Sequence, residues 1–153
     1  MVLLTIAIPS HNENTLLVEN AIDSIVSEPL FGKDINLIIS DNSCSNKTKL
    51  LYESKYSSNN SIKYFNSNDY KTLDSNVNRA VQISNGKYVW IFGDDDLLIT
   101  GILEKIISFI KIKNPNFVIL NSKSFKNKNL IEESRVFSGA KTLYSPYQND
   151  QFL

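Results

Sequence analysis

The 153-residue chain has one cysteine, Cys44, and one histidine, His11. A single thiol excludes an internal disulfide and agrees with a reducing compartment. One thiol and one imidazole also exclude the Cys/His set of a structural zinc site. An excess of charge of either sign is missing as well, because sixteen Lys and Arg balance sixteen Asp and Glu. Nucleic-acid binders usually carry a basic excess, and this chain has none. An anion would have to be taken by a local site or through a metal ion. Long hydrophobic runs are absent too. The first apolar run, residues 2–8, is stopped by Pro9. It is too short to span a bilayer and lacks the basic leading region of a signal peptide. Three motifs are also missing: Gly-x-Gly-x-x-Gly after the first strand, the phosphate loop ending in Gly-Lys-Ser/Thr, and the Gly-x-Ser-x-Gly elbow. Dinucleotide binding of that kind, nucleoside triphosphatase activity and elbow-type hydrolysis therefore have no support.

What is present is an alternation of apolar runs with helical spacing. Hydrophobic residues make up 42% of the chain, enough for the core of one domain. Residues 3–8 are apolar and β-branched, as in a parallel strand buried on both faces. Leu16, Leu17, Ala21, Ile22 and Ile25 follow at helical spacing, with an exit at Glu28 and Pro29. Residues 35–39 read as a second strand, 48–55 as a short helix and 62–65 as a third strand. Leu73, Val77, Ala80, Val81 and Ser84 trace one face of a helix, with Asn85-Gly86 as its C-terminal stop. Residues 88–92 form the most pronounced strand pattern. Residues 102–112 are helical up to Asn114-Pro115, and 117–120 read as another strand. Beyond about residue 124 the pattern weakens, leaving short strands at 130–131 and 135–137. The expected fold is α/β, a mostly parallel sheet with helices on both faces. The whole of residues 1–153 is expected to be one domain, with the ligand-binding half at about 1–123 and a weakly patterned segment at about 124–153.

Such sheets bind ligands outside the carboxyl ends of their strands. His11 and Asn12, Asp41 and Asn42, and Asp94, Asp95 and Asp96 all lie just after an expected strand. Three adjacent carboxylates repel one another, and a hard divalent cation such as Mg²⁺ or Mn²⁺ relieves that repulsion. It would also neutralise a diphosphate leaving group. The competing reading is an acidic first turn of the next helix. Asp41 has the chemistry to accept the ring N–H of a pyrimidine base, or simply to close an Asx-turn at the strand end. His11 sits in a turn, where a packing role is commoner than catalysis. Asp74, Asn78 and Gln82 share a helix face. Asp74, near the helix start, reads as a cap or as a ligand contact.

Taken together, these segments resemble glycosyltransferase family 2. Residues 4–13 (LTIAIPSHNE) are similar to the opening strand of that family, and residues 38–45 (IISDNSCS) to its second strand with the base-binding aspartate. Residues 78–96 (NRAVQISNGKYVWIFGDDD) are similar to its helix, Gly-x-Tyr strand and Asp-x-Asp region, in the variant typical of the abequosyltransferase-like branch. The resemblance implies a GT-A (Rossmann-like) fold and transfer of a sugar from a nucleoside-diphosphate sugar to an acceptor hydroxyl, usually with inversion. It also implies Mg²⁺ or Mn²⁺ as cofactor. By position, Asp41 would bind the base, Asp94 would face the ribose and Asp95 would be the nearest metal ligand, with Asp96 sharing the ion. Pro9, His11 and Glu13 would shape the floor of the nucleotide pocket, and Asp74 stays open as a contact. Gly93 departs from the family by standing where many members have an aspartate.

The resemblance further implies a role in bacterial surface-polysaccharide synthesis, with a glycan or lipid-linked glycan acceptor. Location would be cytoplasmic, at or near the inner membrane face. Family members continue into an acceptor-binding half that carries the catalytic base, and Glu132, Glu133 and Asp150 lack its sequence context. The chain is therefore expected to be truncated, with no catalytic residue assigned, an exposed apolar patch and a homodimer among its partners. Alternatives are a non-catalytic nucleotide-sugar-binding fragment and a nucleotidyltransferase. The latter is disfavoured by the missing Gly-rich basic loop after the first strand.

Overall fold

The structure is a computed structural model and describes residues 2–11, 14–126 and 129–134. Two compact units divide the chain, residues 1–107 and 108–153. The first unit holds the parallel sheet. Strand β1 (Leu4–Ser10) leads into helix α1 (Thr15–Val26), then strand β2 (Ile35–Asp41). Helix α2 (Lys47–Leu51) runs on into a π-helical turn at Tyr52–Tyr56 before strand β3 (Ile62–Asn66). Helix α3 (Leu73–Gln82) then returns the chain to strand β4 (Tyr88–Ile91).

The order across the sheet is β3-β2-β1-β4, all parallel. Strands β1 and β2 are the interior pair, which explains their uninterrupted apolar runs: Ile6, Ile8, Leu37 and Ile39 are fully enclosed. Right-handed crossovers then dictate the layers. The steps from β1 to β2 and from β2 to β3 move one way, so α1 and α2 share a face. The step from β3 to β4 jumps back past β1, so α3 covers the opposite face and packs on β1, β2 and β4. The order in which strands are added across the sheet reverses between β1 and β4, which makes that gap the topological switch point, where open α/β sheets bind their ligands.

Several local expectations are corrected. Of the expected stripe on helix α3, Ala80 is buried, but Leu73 is 66% and Val81 43% exposed, and Asn76 is buried beside Ala80. Its cap is Thr72, in a reciprocal capping box with Ser75, and Asp74 is an exposed residue of the first turn. Asn78 and Gln82 are exposed and solvated. Gly86 is not a left-handed helix stop, since α3 already ends at Ile83 in a right-handed conformation. Its reason for being glycine is close approach. A β-carbon there would lie 2.5 Å from the Thr5 backbone nitrogen and 2.7 Å from the Tyr88 carbonyl oxygen. The Gly86 N–H donates to the buried Thr5 Oγ1 at 2.9 Å, so the contact also satisfies a core hydroxyl. Gly86→Ala must push apart backbone atoms where β4 joins β1. It should cost about 1–3 kcal/mol in urea unfolding, as overpacking does; an unchanged midpoint would show that the strands separate freely.

Helix α4 (Ile102–Lys113) ends at Asn114, which adopts φ 45° before Pro115. Residues 117–120 are not a strand. Phe117 and Ile119 are exposed, and no neighbouring strand among the described residues pairs with them. An apolar run without a partner for its backbone groups does not become sheet. Strands β5 (Ser122–Lys126) and β6 (Asn129–Ser134) pair antiparallel instead, and β6 contains the expected strand at residues 130–131. The strand expected at 135–137 lies outside the described residues.

Candidate functional site

Three strand ends meet at the carboxyl edge of the sheet. Ser10, the last residue of β1, is in register with Asp41, the last residue of β2. Ser10 Oγ donates to Asp94 Oδ2 at 2.8 Å, joining the ends of β1 and β4 at the switch point. The Asn42 N–H extends the ladder to the Ser10 carbonyl at 2.9 Å. The expected convergence of polar strand ends is therefore present.

A buried amide holds these ends together. Asn76, in the second turn of α3, is 1% exposed. Its Nδ2 donates to the Ser40 carbonyl at 3.0 Å and the Ser10 carbonyl at 3.2 Å, while its Oδ1 accepts from Ser40 Oγ at 2.7 Å. With that proton committed, Ser67 donates to Ser40 Oγ at 2.7 Å. One side chain thus fastens α3, β1, β2 and the segment after β3. Ser10, Ser40, Ser67 and Asn76 were not among the expected site residues. A faint signal existed for Asn76, which stands one helical turn before Ala80.

Asp41 is 2% exposed, and both its oxygens are engaged. Oδ1 accepts the Ser43 N–H at 2.9 Å, which is the Asx-turn; Oδ2 accepts the Tyr64 hydroxyl at 2.8 Å. The Tyr64 ring stacks on Tyr52, with centroids 5.6 Å apart. Burial, reinforced by the hydrogen bond to Asp41, pushes the Tyr64 phenol above the ordinary tyrosine range. Burial and Asp23, whose Oδ1 takes the Tyr56 hydroxyl at 2.7 Å, do the same for Tyr56. The folded values lie above the unfolded value of about 10. The stabilisation is therefore complete below about pH 10 and is lost as pH rises through the folded values. In an alkaline titration followed by tyrosinate absorbance, these two phenols should ionise only as circular dichroism records unfolding. Ionisation of every tyrosine with the fold intact would contradict this.

The acidic run forms a turn. Gly93 N–H donates to Asp96 Oδ2 at 3.2 Å and Asp96 N–H to the Gly93 carbonyl at 3.3 Å. A β-carbon at Gly93 would lie 2.6 Å from Asp96 Oδ2, so the glycine makes room for the carboxylate to fold back. The next helix does not begin until Ile102, so the run is not its first turn. The intervening segment is tied to the end of α1: Leu98 N–H donates to Ser24 Oγ at 3.0 Å and Gly101 N–H to the buried Glu28 at 2.8 Å. Asp95 and Asp96 are exposed and Asp94 is half-buried.

Among the described residues no group of three or more His, Cys, Asp or Glu is gathered as a metal cage. A cation shared with a diphosphate needs only one or two carboxylates, since phosphate and water supply the rest. Asp95 suits that donor set, with no hydrogen bond to its carboxylate among the described residues, and Asp96 has an oxygen beyond the one used by Gly93. Of the other expected residues, Pro9 is half-buried at the end of β1, and His11 and Asp74 are exposed. Asn12 and Glu13 lie outside the described residues.

Fold and site together define an open parallel α/β domain whose polar groups gather at the switch point, the class of sheet that takes its ligands at that edge. Residues 5–150 match the model of glycosyl transferase family 2, and the chain belongs to that family. It is 32% identical over 105 residues to the Campylobacter jejuni GalNAc(5)-diNAcBac-PP-undecaprenol beta-1,3-glucosyltransferase, covering 68% of this chain and 33% of that protein. It is 33% identical over 97 residues to abequosyltransferase RfbV of Salmonella typhimurium, covering 63% of this chain and 29% of that one. The chain thus spans about a third of the length of the curated relatives it matches. Among solved structures, S. aureus TarS 1-349 superimposes with a TM-score of 0.63 at 18% identity, over 74% of this chain and 33% of that chain. The same protein in complex with UDP gives 0.61 at 16% identity over the same shares. The sheet is of the GT-A type expected. No helix among the described residues is long and apolar enough to cross a membrane.

Proposed function

We propose that this chain is the nucleotide-sugar-binding part of a glycosyltransferase that moves a sugar from a nucleoside-diphosphate donor to an acceptor hydroxyl on a bacterial glycan or lipid-linked glycan. The observation that carries this reading is the junction of β1, β2 and β4, where Ser10 links to Asp94 beside the buried Asp41. Support comes from the family and from two relatives named as sugar transferases, one of them with an undecaprenol-linked substrate in its name. TarS was solved with UDP and with UDP-GlcNAc.

In this reading Asp41 accepts the ring N–H of the base, and Asp94, steadied by Ser10, faces the ribose. Asp95, with Asp96, would hold Mg²⁺ or Mn²⁺; bound there, such an ion neutralises the charge that develops on the departing diphosphate. By family position Pro9 and His11 would line the pocket floor, and Glu13, outside the described residues, is assigned there by the resemblance alone. Orientation of the donor and electrostatic complementarity to the leaving group would supply most of the acceleration. Action at the cytoplasmic membrane face fits a lipid-linked acceptor.

Calorimetry with UDP and CDP at saturating Mn²⁺ tests the base site. UDP carries the N3–H that Asp41 would accept, and CDP does not. Asp41→Asn retains an acceptor but loses the charge. It should reduce UDP affinity by about 1.5–3 kcal/mol, the range for a hydrogen bond to a charged group. Equal binding of UDP and CDP to the parent chain would remove the base assignment.

A further inference from the structure

Asp41 is a buried carboxylate that is paired with no cation among the described residues and is satisfied by two neutral donors. One of them, the Ser43 N–H, is fixed in the backbone. The other is a rotor. The Tyr64 hydroxyl turns about its C–O bond without moving the ring, and the ring is held by its stack on Tyr52. Each carboxylate oxygen has two lone pairs, so Asp41 can accept a further N–H while the Tyr64 proton is redirected.

From this geometry we propose that Tyr64 is a specificity-determining residue of the base site, its hydroxyl turning from Asp41 to donate to the ring carbonyl that flanks the N–H held by Asp41. The proposal rests on the reading of Asp41 as the base acceptor. An acceptor and a donor 2.8 Å apart present the complement of an N–H beside a C=O. Uracil and thymine carry that pair at N3–H with O2 or O4. Cytosine offers a bare N3 that would face the carboxylate lone pair to lone pair. The exchange conserves hydrogen bonds: Asp41 gives up the phenol proton and gains the base N–H, and the phenol gains a carbonyl. The Tyr64 phenol, which burial raises further above the ordinary tyrosine range, carries its proton throughout the neutral range.

The test uses parent chain and Tyr64→Phe with UDP, 2-thio-UDP, 4-thio-UDP and CDP, by calorimetry at saturating Mn²⁺. Sulfur is a poor acceptor. One of the two thio analogues should bind the parent about three- to tenfold more weakly than UDP, the worth of one neutral hydrogen bond. In Tyr64→Phe, UDP should fall to the level of that analogue. If neither analogue is weakened in the parent while UDP still beats CDP, Tyr64 does not read the base, and the proposal alone fails. An analogue whose affinity rises in Tyr64→Phe to that of UDP for the parent marks a steric contact and overturns it equally. If the parent does not distinguish UDP from CDP, the reading of Asp41 fails first and takes this one with it. The parent comparison stands whatever the stability of the variant.

Discussion

Asp95→Ala is expected to make nucleoside-diphosphate binding indifferent to Mg²⁺ or Mn²⁺ and to remove most of the affinity. The expectation follows from where the three carboxylates point their oxygens. Asp94 Oδ2 receives the Ser10 hydroxyl and Asp96 Oδ2 receives the Gly93 N–H, whereas Asp95 is exposed on the turn between them. Loss of groups that merely orient metal ligands costs about 10–100-fold in metal affinity, so loss of a ligand should reach or exceed that upper figure. Asp96→Asn should do less, because an amide oxygen can still accept from Gly93 and keep the turn closed. Calorimetry with UDP in Mn²⁺ and in chelator decides the matter. Equal affinity of the parent in both would reduce the acidic run to a turn and remove the proposed cofactor.

The sequence revealed the scaffold more fully than the site. Strands β1 and β2 were legible because an interior parallel strand is apolar on both faces, and no polar residue interrupts 35–39 except Asn36. The polar groups at their carboxyl ends were legible for the same reason, since each follows a run that cannot continue into solvent. What pattern reading missed are positions where chemistry outweighs hydrophobicity. Leu73 and Val81 look like the inward stripe of α3, yet they are exposed and Asn76 is buried. The helix starts over the strand ends, where unpaired carbonyls must be satisfied, and an amide does that where an aliphatic side chain would leave them bare. Gly86 looked like a helix stop because glycine so often is one. Its close packing against Thr5 depends on a neighbour some eighty residues earlier, as the Thr5–Gly86 bond shows. Tyr64 alternates in a half-exposed strand like any surface tyrosine. Only the register of β2 with β3, which pairs Ile39 with Tyr64 and Asp41 with Asn66, brings its hydroxyl to Asp41. For residues 117–120 the apolar run was real, but no strand among the described residues pairs with it.

Replacement of Asn76 should show how far the site depends on that amide. Asn76→Ala leaves the Ser10 carbonyl short of one donor, and the Ser40 carbonyl and Ser40 hydroxyl likewise lose a partner, all in a region closed to solvent. A buried polar group deprived of its partner costs about 1–3 kcal/mol. The Ser10 carbonyl keeps the Asn42 N–H, and the Ser40 hydroxyl can turn towards Ser67. Those compensations keep the expected loss near 2–4 kcal/mol in urea unfolding, a large fraction of the stability of a small domain. Asn76→Asp separates hydrogen bonding from simple space filling. Its shape is the same, but an ionised carboxylate would face two carbonyl oxygens where the amide presented two N–H groups. Burial and those carbonyls would raise the new carboxyl above its unfolded value of about 3.9. Its charge therefore costs stability in full at neutral pH, and the deficit against the parent shrinks as pH falls through the raised folded value. The expected result is an Asp variant less stable than Ala at pH 7 and recovering relative to it on acidification. An Asp variant as stable as the parent at neutral pH, with only the Ala variant destabilised, would mean that Asn76 fills space and that the strand ends are held by the backbone ladder alone.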